Sequence, residues 1–76
     1  MREKVLEILY NIRPEFDFSE NLNFIEEGML DSFDVVTLVA DLDSTFGISI
    51  DGVDIVPENF SSIESIIDLL EKNGAK

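Results

Sequence analysis

The sequence predicts an all-α fold, a small four-helix bundle with a long packed loop between helices 1 and 2 and a short third helix. Apolar residues recur at helical spacing, and most of these segments carry a start or stop signal for a helix. Only residues 48–52 alternate as a strand would, and they are too few to form a sheet alone. Because 45% of the 76 residues are hydrophobic, we expect one small domain, residues 1–76, with a single core.

The first helix is predicted over residues 2–12, where apolar residues share one face. Pro14 explains its end, because the residue before a proline disfavours helical dihedral angles. That apolar face consists of Val5, Leu6, Ile8, Leu9 and Ile12. The loop that follows, residues 13–30, is too apolar for a free linker and is expected to pack onto the bundle. Its apolar residues include Phe16, Phe18, Leu22, Phe24 and Ile25.

The second helix is predicted to begin at Asp31–Ser32 and to run to about Phe46. Asp31 is a favourable N-cap residue, and Asp34 stands three residues later, at the position of a capping-box partner. Gly47 suits the end of the helix. The expected buried stripe consists of Val35, Leu38, Val39, Leu42 and Phe46.

A third, short helical turn is predicted between residues 53 and 60, with Pro57 at a first helical position. The last helix is predicted to begin at Ser61 or Ser62. Ser61 and Glu64 have the spacing of a capping box. The apolar residues that follow repeat at helical intervals and are Ile63, Ile66, Ile67 and Leu70.

The net charge of -12 is distributed unevenly along the chain. The five basic residues lie near the termini and are Arg2, Lys4, Arg13, Lys72 and Lys76, whereas 15 of the 17 acidic residues lie between Arg13 and Lys72. Binding a nucleic-acid backbone requires cations, so nucleic acid is excluded as a partner, and anionic membranes are disfavoured. The negative field favours basic protein partners, although it could also serve solubility alone.

Several residue types are missing, and their absence restricts the chemistry. Without Cys there is no disulfide, thiolate metal site or thiol nucleophile, and without His the usual general base is absent. We therefore predict a protein that is not an enzyme and has no metal site. No apolar run is long enough for a signal peptide or a membrane span, so we expect a cytoplasmic protein without membrane insertion.

Ser32 is the residue that indicates chemistry. A serine in the first turn of a helix, after an acidic cap, lies at the positive end of the helix dipole, where a phosphate attached to it is favoured. The Asp-Ser pair alone opens helices in many proteins, so a motif this short does not indicate a function by itself.

The surroundings of Ser32 resemble the acyl carrier protein family over nearly the whole chain. The likeness consists of a first helix, a long packed loop, the stretch LDSFDVVTLVADLDSTFGI, a short turn and the stretch SSIESIIDLL. The resemblance implies a bundle of acyl-carrier type, in which the serine of an Asp-Ser-Leu motif receives 4′-phosphopantetheine from coenzyme A. Ser32 matches that serine and Asp31 the preceding aspartate. The thiol of the attached arm would carry acyl or aminoacyl groups as thioesters, and partner enzymes would supply the catalysis.

Two departures from the family pattern leave the cargo open. Phe33 stands where the family usually has a small aliphatic residue, and Met29 occupies the usual glycine position, with Gly28 one residue earlier. The run Gly-Met-Leu-Asp-Ser is similar to the Gly-Leu-Leu-Asp-Ser of D-alanyl carrier proteins, and the spacing from Ile50 to Ile63 also resembles theirs. Fatty-acid, D-alanyl and secondary-metabolite pathways all use carriers of this shape.

One face of helix 2 is the predicted docking surface for partner proteins. Its residues are Phe33, Asp34, Val36, Thr37, Ala40, Asp41 and Ser44. An apolar strip beside carboxylates suits a basic, partly hydrophobic partner. By resemblance, those partners are a phosphopantetheinyl transferase and acyl- or aminoacyl-activating and transferring enzymes. The alternative is that Phe33 folds back over the loop as part of the core.

Two hypotheses from different classes follow. The first is a monomeric carrier protein that is a substrate of other enzymes. The alternative is a non-carrier acidic helical module that binds a basic partner through helix 2. A hydrolase that uses Ser32 is disfavoured, because the sequence offers no base to activate the hydroxyl.

Overall fold

The computed structural model describes residues 1–20 and 23–75. Within these ranges the chain forms three α-helices: α1 (Arg2–Ile12), α2 (Ser32–Phe46) and α3 (Ile63–Lys72). Two 3-10 turns, Gly52–Asp54 and Pro57–Phe60, lie between α2 and α3, and the described residues contain no strand. The prediction of a helical fold is confirmed.

The count of four helices is not confirmed, because the expected third helix is replaced by the two 3-10 turns. Val56 separates them in an extended conformation, with φ -129° and ψ 152°. It precedes Pro57, and a residue before proline is driven out of the helical region, so one continuous helix cannot form here. Pro57 does stand at the start of the second turn, as predicted.

Both ends of α2 form as the sequence predicts. The Asp31 side chain accepts a hydrogen bond from the Asp34 backbone N–H at 2.8 Å, and the Asp34 carboxylate accepts one from the Asp31 N–H at 3.1 Å. This reciprocal pair is a capping box. Gly47 ends the helix with φ 64° and ψ 37°, a left-handed conformation that favours glycine.

The cap of α3 differs from the expected Ser61–Glu64 pair. Ser62 is the N-cap residue, and its hydroxyl oxygen accepts a hydrogen bond from the Ser65 N–H at 3.1 Å. Ser61 already has helical dihedral angles at the end of the 3-10 turn, and its hydroxyl donates to the Glu58 carbonyl at 2.9 Å. A residue in that conformation is unsuited to an N-cap position, which is usually extended.

The loop between α1 and α2 packs into the core, as predicted. Phe18, Phe24, Met29 and Leu30 are buried, Phe16 and Ile25 are half-buried, and Leu22 lies outside the described residues. The Phe18 and Phe24 rings meet edge to face with centroids 5.0 Å apart. The Phe24 N–H also donates to the Ser61 carbonyl at 2.8 Å, which ties the loop to the start of α3.

Gly28 delivers the loop to the start of α2. Its φ of 72° reverses the chain, and the N–H groups of Met29 and Leu30 both donate to the Phe24 carbonyl, at 2.8 and 3.2 Å. Leu30 is thereby buried directly before Asp31. The start of α2 is therefore anchored to the core on its N-terminal side.

The predicted stripe of α2 contributes to the core. Leu38 and Leu42 are fully buried, whereas Val35, Val39 and Phe46 are half-buried around them.

Within the described parts of the chain, no helix combines the length and the apolar character needed to cross a membrane.

Candidate functional site

Ser32 is the first residue of α2 and is exposed to solvent. Asp31 precedes it as the N-cap residue and is also exposed. The expectation of a surface hydroxyl where a helix begins is confirmed. α2 is 15 residues long, so its dipole places positive partial charge at this end.

An apolar groove of about 440 Å³ opens beside Ser32. Three segments form it: the loop before α2, the first two turns of α2, and the connection between the two 3-10 turns. The lining residues are Ile25, Leu30, Asp31, Ser32, Val35, Val36, Ile55, Val56 and Pro57. The exposed hydroxyl therefore lies at the edge of a surface that can cover apolar groups.

Large apolar side chains of α2 and of the 3-10 turns remain in solvent. Phe33 is 81% exposed and Val36 67%, so the alternative in which Phe33 joins the core is wrong. In the first 3-10 turn Val53 is 79% exposed, and Ile55, which lines the groove, is 38% exposed. Val53 and Ile55 were not among the predicted site residues. The signal for Val53 was its position between Gly52 and Asp54, because an apolar side chain in such a short turn is often exposed.

Asp54 fixes the turn that carries these two residues. Its buried carboxylate accepts a hydrogen bond from the Lys72 ammonium at 2.8 Å, and the Asn59 amide donates to its backbone carbonyl at 2.7 Å. The hydrogen bond from Lys72 to Asp54 raises the pKa of Lys72 above its ordinary value. The far wall of the groove is thus tied to the end of α3.

Asp34 and Asp41 do not belong to the exposed strip predicted for docking. Asp34 is buried and Asp41 half-buried, whereas Phe33, Val36, Thr37, Ala40 and Ser44 are exposed. The expectation of an exposed Asp34 is wrong. Residues 34 and 41 are seven positions apart and share a helix face. That face turns toward α1, where Asp41 lines a polar groove together with Lys4 and Asn11.

Arg13 explains why a carboxylate is buried at the start of α2. This residue directly follows α1, and its guanidinium Nε donates to Asp34 Oδ2 at 2.8 Å. Its Nη2 donates to Asp31 Oδ2 at 3.4 Å, and its Nη1 lies 3.5 Å from Glu15 Oε2. The sequence reasoning missed Arg13 as a site residue. Its position as the last basic residue before a long acidic stretch was the available signal.

These contacts shift the pKa values of Arg13 and Asp31. The hydrogen bond and the charge of Asp34 raise the pKa of Arg13 above its ordinary value. The backbone N–H of Asp34 lowers the pKa of Asp31, and the charge of Arg13 contributes to the same shift. The Asp31 carboxylate beside Ser32 is therefore ionised at neutral pH.

Comparison with known proteins shows the family of the chain. A family model described as a phosphopantetheine attachment site matches residues 1–70. The chain belongs to this family. A comparison with solved structures finds no match.

Membership gives the protein its general function. It is a carrier domain, and 4′-phosphopantetheine is its covalently attached cofactor. Such carrier domains are not catalytic themselves and interact with a phosphopantetheinyl transferase and with partner enzymes. The match favours the carrier hypothesis over a non-carrier interaction module.

The residues at the start of α2 fit the cofactor. A phosphodiester requires an accessible hydroxyl, and Ser32 is exposed. A phosphate is favoured at the N-terminus of a helix, where Ser32 lies. The apolar groove beside the residue gives the arm a surface to lie against.

Proposed function

We propose that Ser32 is the attachment residue of this carrier domain. The observation that supports it best is its position, an exposed hydroxyl at the first residue of α2, within the matched range 1–70. The capping box and the buried Leu30 hold this end of the helix, so the hydroxyl is presented on a fixed backbone.

The modification transfers a phosphoryl-linked group from coenzyme A to the chain. A bond forms between Ser32 Oγ and the phosphorus that bears the pantetheine arm, and the pyrophosphate P–O bond of coenzyme A breaks. Adenosine 3′,5′-bisphosphate leaves, and the hydroxyl proton passes to a base of the transferase, because this chain has no His. Once attached, the group supplies a thiol that holds acyl or aminoacyl cargo as a thioester.

The residues of the chain orient and stabilise the product. The dipole of α2 favours the phosphodiester charge, and the Asp31–Asp34 capping box maintains the first turn that bears it. The groove residues Val35, Ile55 and Val56 offer apolar contacts to the arm.

The exposed strip of α2 is the proposed docking surface for partners. Phe33, Val36, Thr37 and Ala40 follow helical spacing on one exposed face next to Ser32. A net charge of -12 attracts basic surfaces, so the proposed partners are the transferase and the loading enzymes, each with a basic and partly apolar surface. We place these encounters in the cytoplasm.

The proposed cargo is an acyl or aminoacyl group, and the D-alanyl-type motif around Gly28 favours an aminoacyl group. The test uses the modified protein and purified aminoacyl- and acyl-activating enzymes, with thioester formation measured by intact mass. Loading by a D-alanine-activating enzyme alone would support the aminoacyl assignment, whereas loading by fatty-acyl enzymes alone would refute it.

The attachment itself is tested with the unmodified protein, coenzyme A and a broad-specificity phosphopantetheinyl transferase. We expect a phosphopantetheine-sized mass gain in the wild type and none in Ser32→Ala. Ser49→Ala is the matched control, because Ser49 is also exposed but lies beyond the end of α2. A mass gain retained in Ser32→Ala would refute the assignment.

A further inference from the structure

Arg13 joins the end of α1 to both carboxylates that flank Ser32. Its Nε contacts Asp34 Oδ2 at 2.8 Å and its Nη2 contacts Asp31 Oδ2 at 3.4 Å. Ser32 lies between these two residues in the first turn of α2. A guanidinium is planar and presents several donors in a fixed fork, so it can hold two carboxylates in one relative position.

The negative charges near Ser32 make the contact of the Arg13 guanidinium with Asp31 and Asp34 important for phosphate attachment. The capping box places two carboxylates at the helix end that carries Ser32, and their negative charge opposes the approach of a phosphate. The sequence has no Lys or Arg between Arg13 and Lys72, and Lys72 pairs with Asp54. Among the described residues, Arg13 is therefore the cation in contact with this helix end.

We propose that Arg13 is a positioning residue for phosphopantetheine attachment: it holds the Asp31–Asp34 capping box in place around Ser32 and offsets its negative charge. This inference rests on the proposed role of Ser32. Arg13 acts through the two carboxylates, and its half-buried side chain faces the loop and α2 instead of the exposed docking strip.

Two substitutions separate the geometry from the charge. Arg13→Gln removes the charge and most of the donors. Arg13→Lys keeps the charge but offers a single ammonium, which cannot reproduce the planar fork that contacts both carboxylates. The matched control is Arg2→Gln, which makes the same charge change and breaks an exposed ion pair of 3.4 Å between Arg2 and Glu64, two residues outside the Ser32 site.

The measurement is the steady-state rate of modification of each unmodified variant by the transferase, at a temperature where circular dichroism shows every variant folded. We expect Arg13→Gln to lower kcat by about tenfold, with KM changed by less than about twofold, because the group acts on the reacting end and not on the docking strip. The kcat of Arg13→Lys should lie between those of Arg13→Gln and the wild type. The kcat of Arg2→Gln should stay within about twofold of the wild-type value.

The outcomes distinguish this inference from the proposed function. Equal kcat values for Arg13→Gln and Arg2→Gln would overturn the role of Arg13, and so would an effect confined to KM. If those variants behave alike while Ser32→Ala still abolishes the mass gain, Ser32 remains the attachment residue and only the Arg13 inference fails. If the wild type is modified elsewhere, the assignment of Ser32 fails instead.

Discussion

The buried carboxylate of Asp34 makes the stability of the start of α2 measurable. Asp34→Ala removes Oδ2, the single oxygen that accepts hydrogen bonds from both the Asp31 N–H at 3.1 Å and the Arg13 Nε at 2.8 Å. Residue 34 is only 9% exposed, so water replaces the lost acceptor poorly. Part of the capping box and one charge-assisted hydrogen bond are lost.

The expected loss of stability is about 2 kcal/mol. Loss of a helix cap costs about 1 kcal/mol, and a buried donor left without its acceptor costs about 1 kcal/mol more. For a domain of this size, that loss lowers Tm by roughly 10 °C. The removed negative charge acts in the opposite direction, because the protein carries a net charge of -12.

A matched control removes this general charge effect. Asp68→Ala makes the same chemical change at an exposed position of α3, so its change in unfolding free energy should stay within about 0.5 kcal/mol. Both variants are unfolded in urea and followed by circular dichroism at constant salt. If Asp34→Ala is no less stable than Asp68→Ala, the capping box and the Arg13 contact do not stabilise α2, and the reasoning is refuted.

Three further perturbations test other parts of the molecule. Gly28→Ala should lose about 1 kcal/mol of unfolding free energy, because φ at Gly28 is 72°. The control Gly52→Ala should lose less, because Gly52 has no positive φ and an added Cβ meets no atom within 4 Å. Equal losses in the two variants would contradict this prediction. Asp31→Asn should flatten the pH dependence of stability in acid. The pKa of Asp31 is lowered in the folded protein, so its contribution is complete above the unfolded pKa of about 3.9 and is lost as the pH falls through the folded value; parallel urea midpoints against pH for the two proteins would rule this out. Phe33→Ala should leave Tm nearly unchanged and raise the KM of the transferase several-fold, roughly 1 kcal/mol of binding, because the ring is 81% exposed; an unchanged KM would exclude Phe33 from docking.

The start of α2 could be predicted from the sequence because its signals are local. Asp31, Asp34 and Gly47 act through contacts with residues close to them in the chain, and all three have the predicted roles. The short helical turn predicted between residues 53 and 60 forms as the 3-10 turn Pro57–Phe60, with Pro57 at its start. The count of four helices is not confirmed, because the extended Val56 before Pro57 separates this turn from Gly52–Asp54.

The contacts of Arg13 could not be predicted in the same way. They join residues 18 and 21 positions apart, and they depend on how the intervening loop folds. The prediction that Asp34 is exposed was wrong for a related reason. Helical spacing shows which residues share a face, but the packing of α1 decides which face is buried.

The most direct test of the central claim is to locate the modification within the chain. The protein is incubated with coenzyme A and transferase and then digested, and the phosphopantetheine-bearing peptide is sequenced by tandem mass spectrometry. We predict that the modification lies on Ser32 alone. A modification found on another serine or threonine while Ser32 stays unmodified would contradict the account.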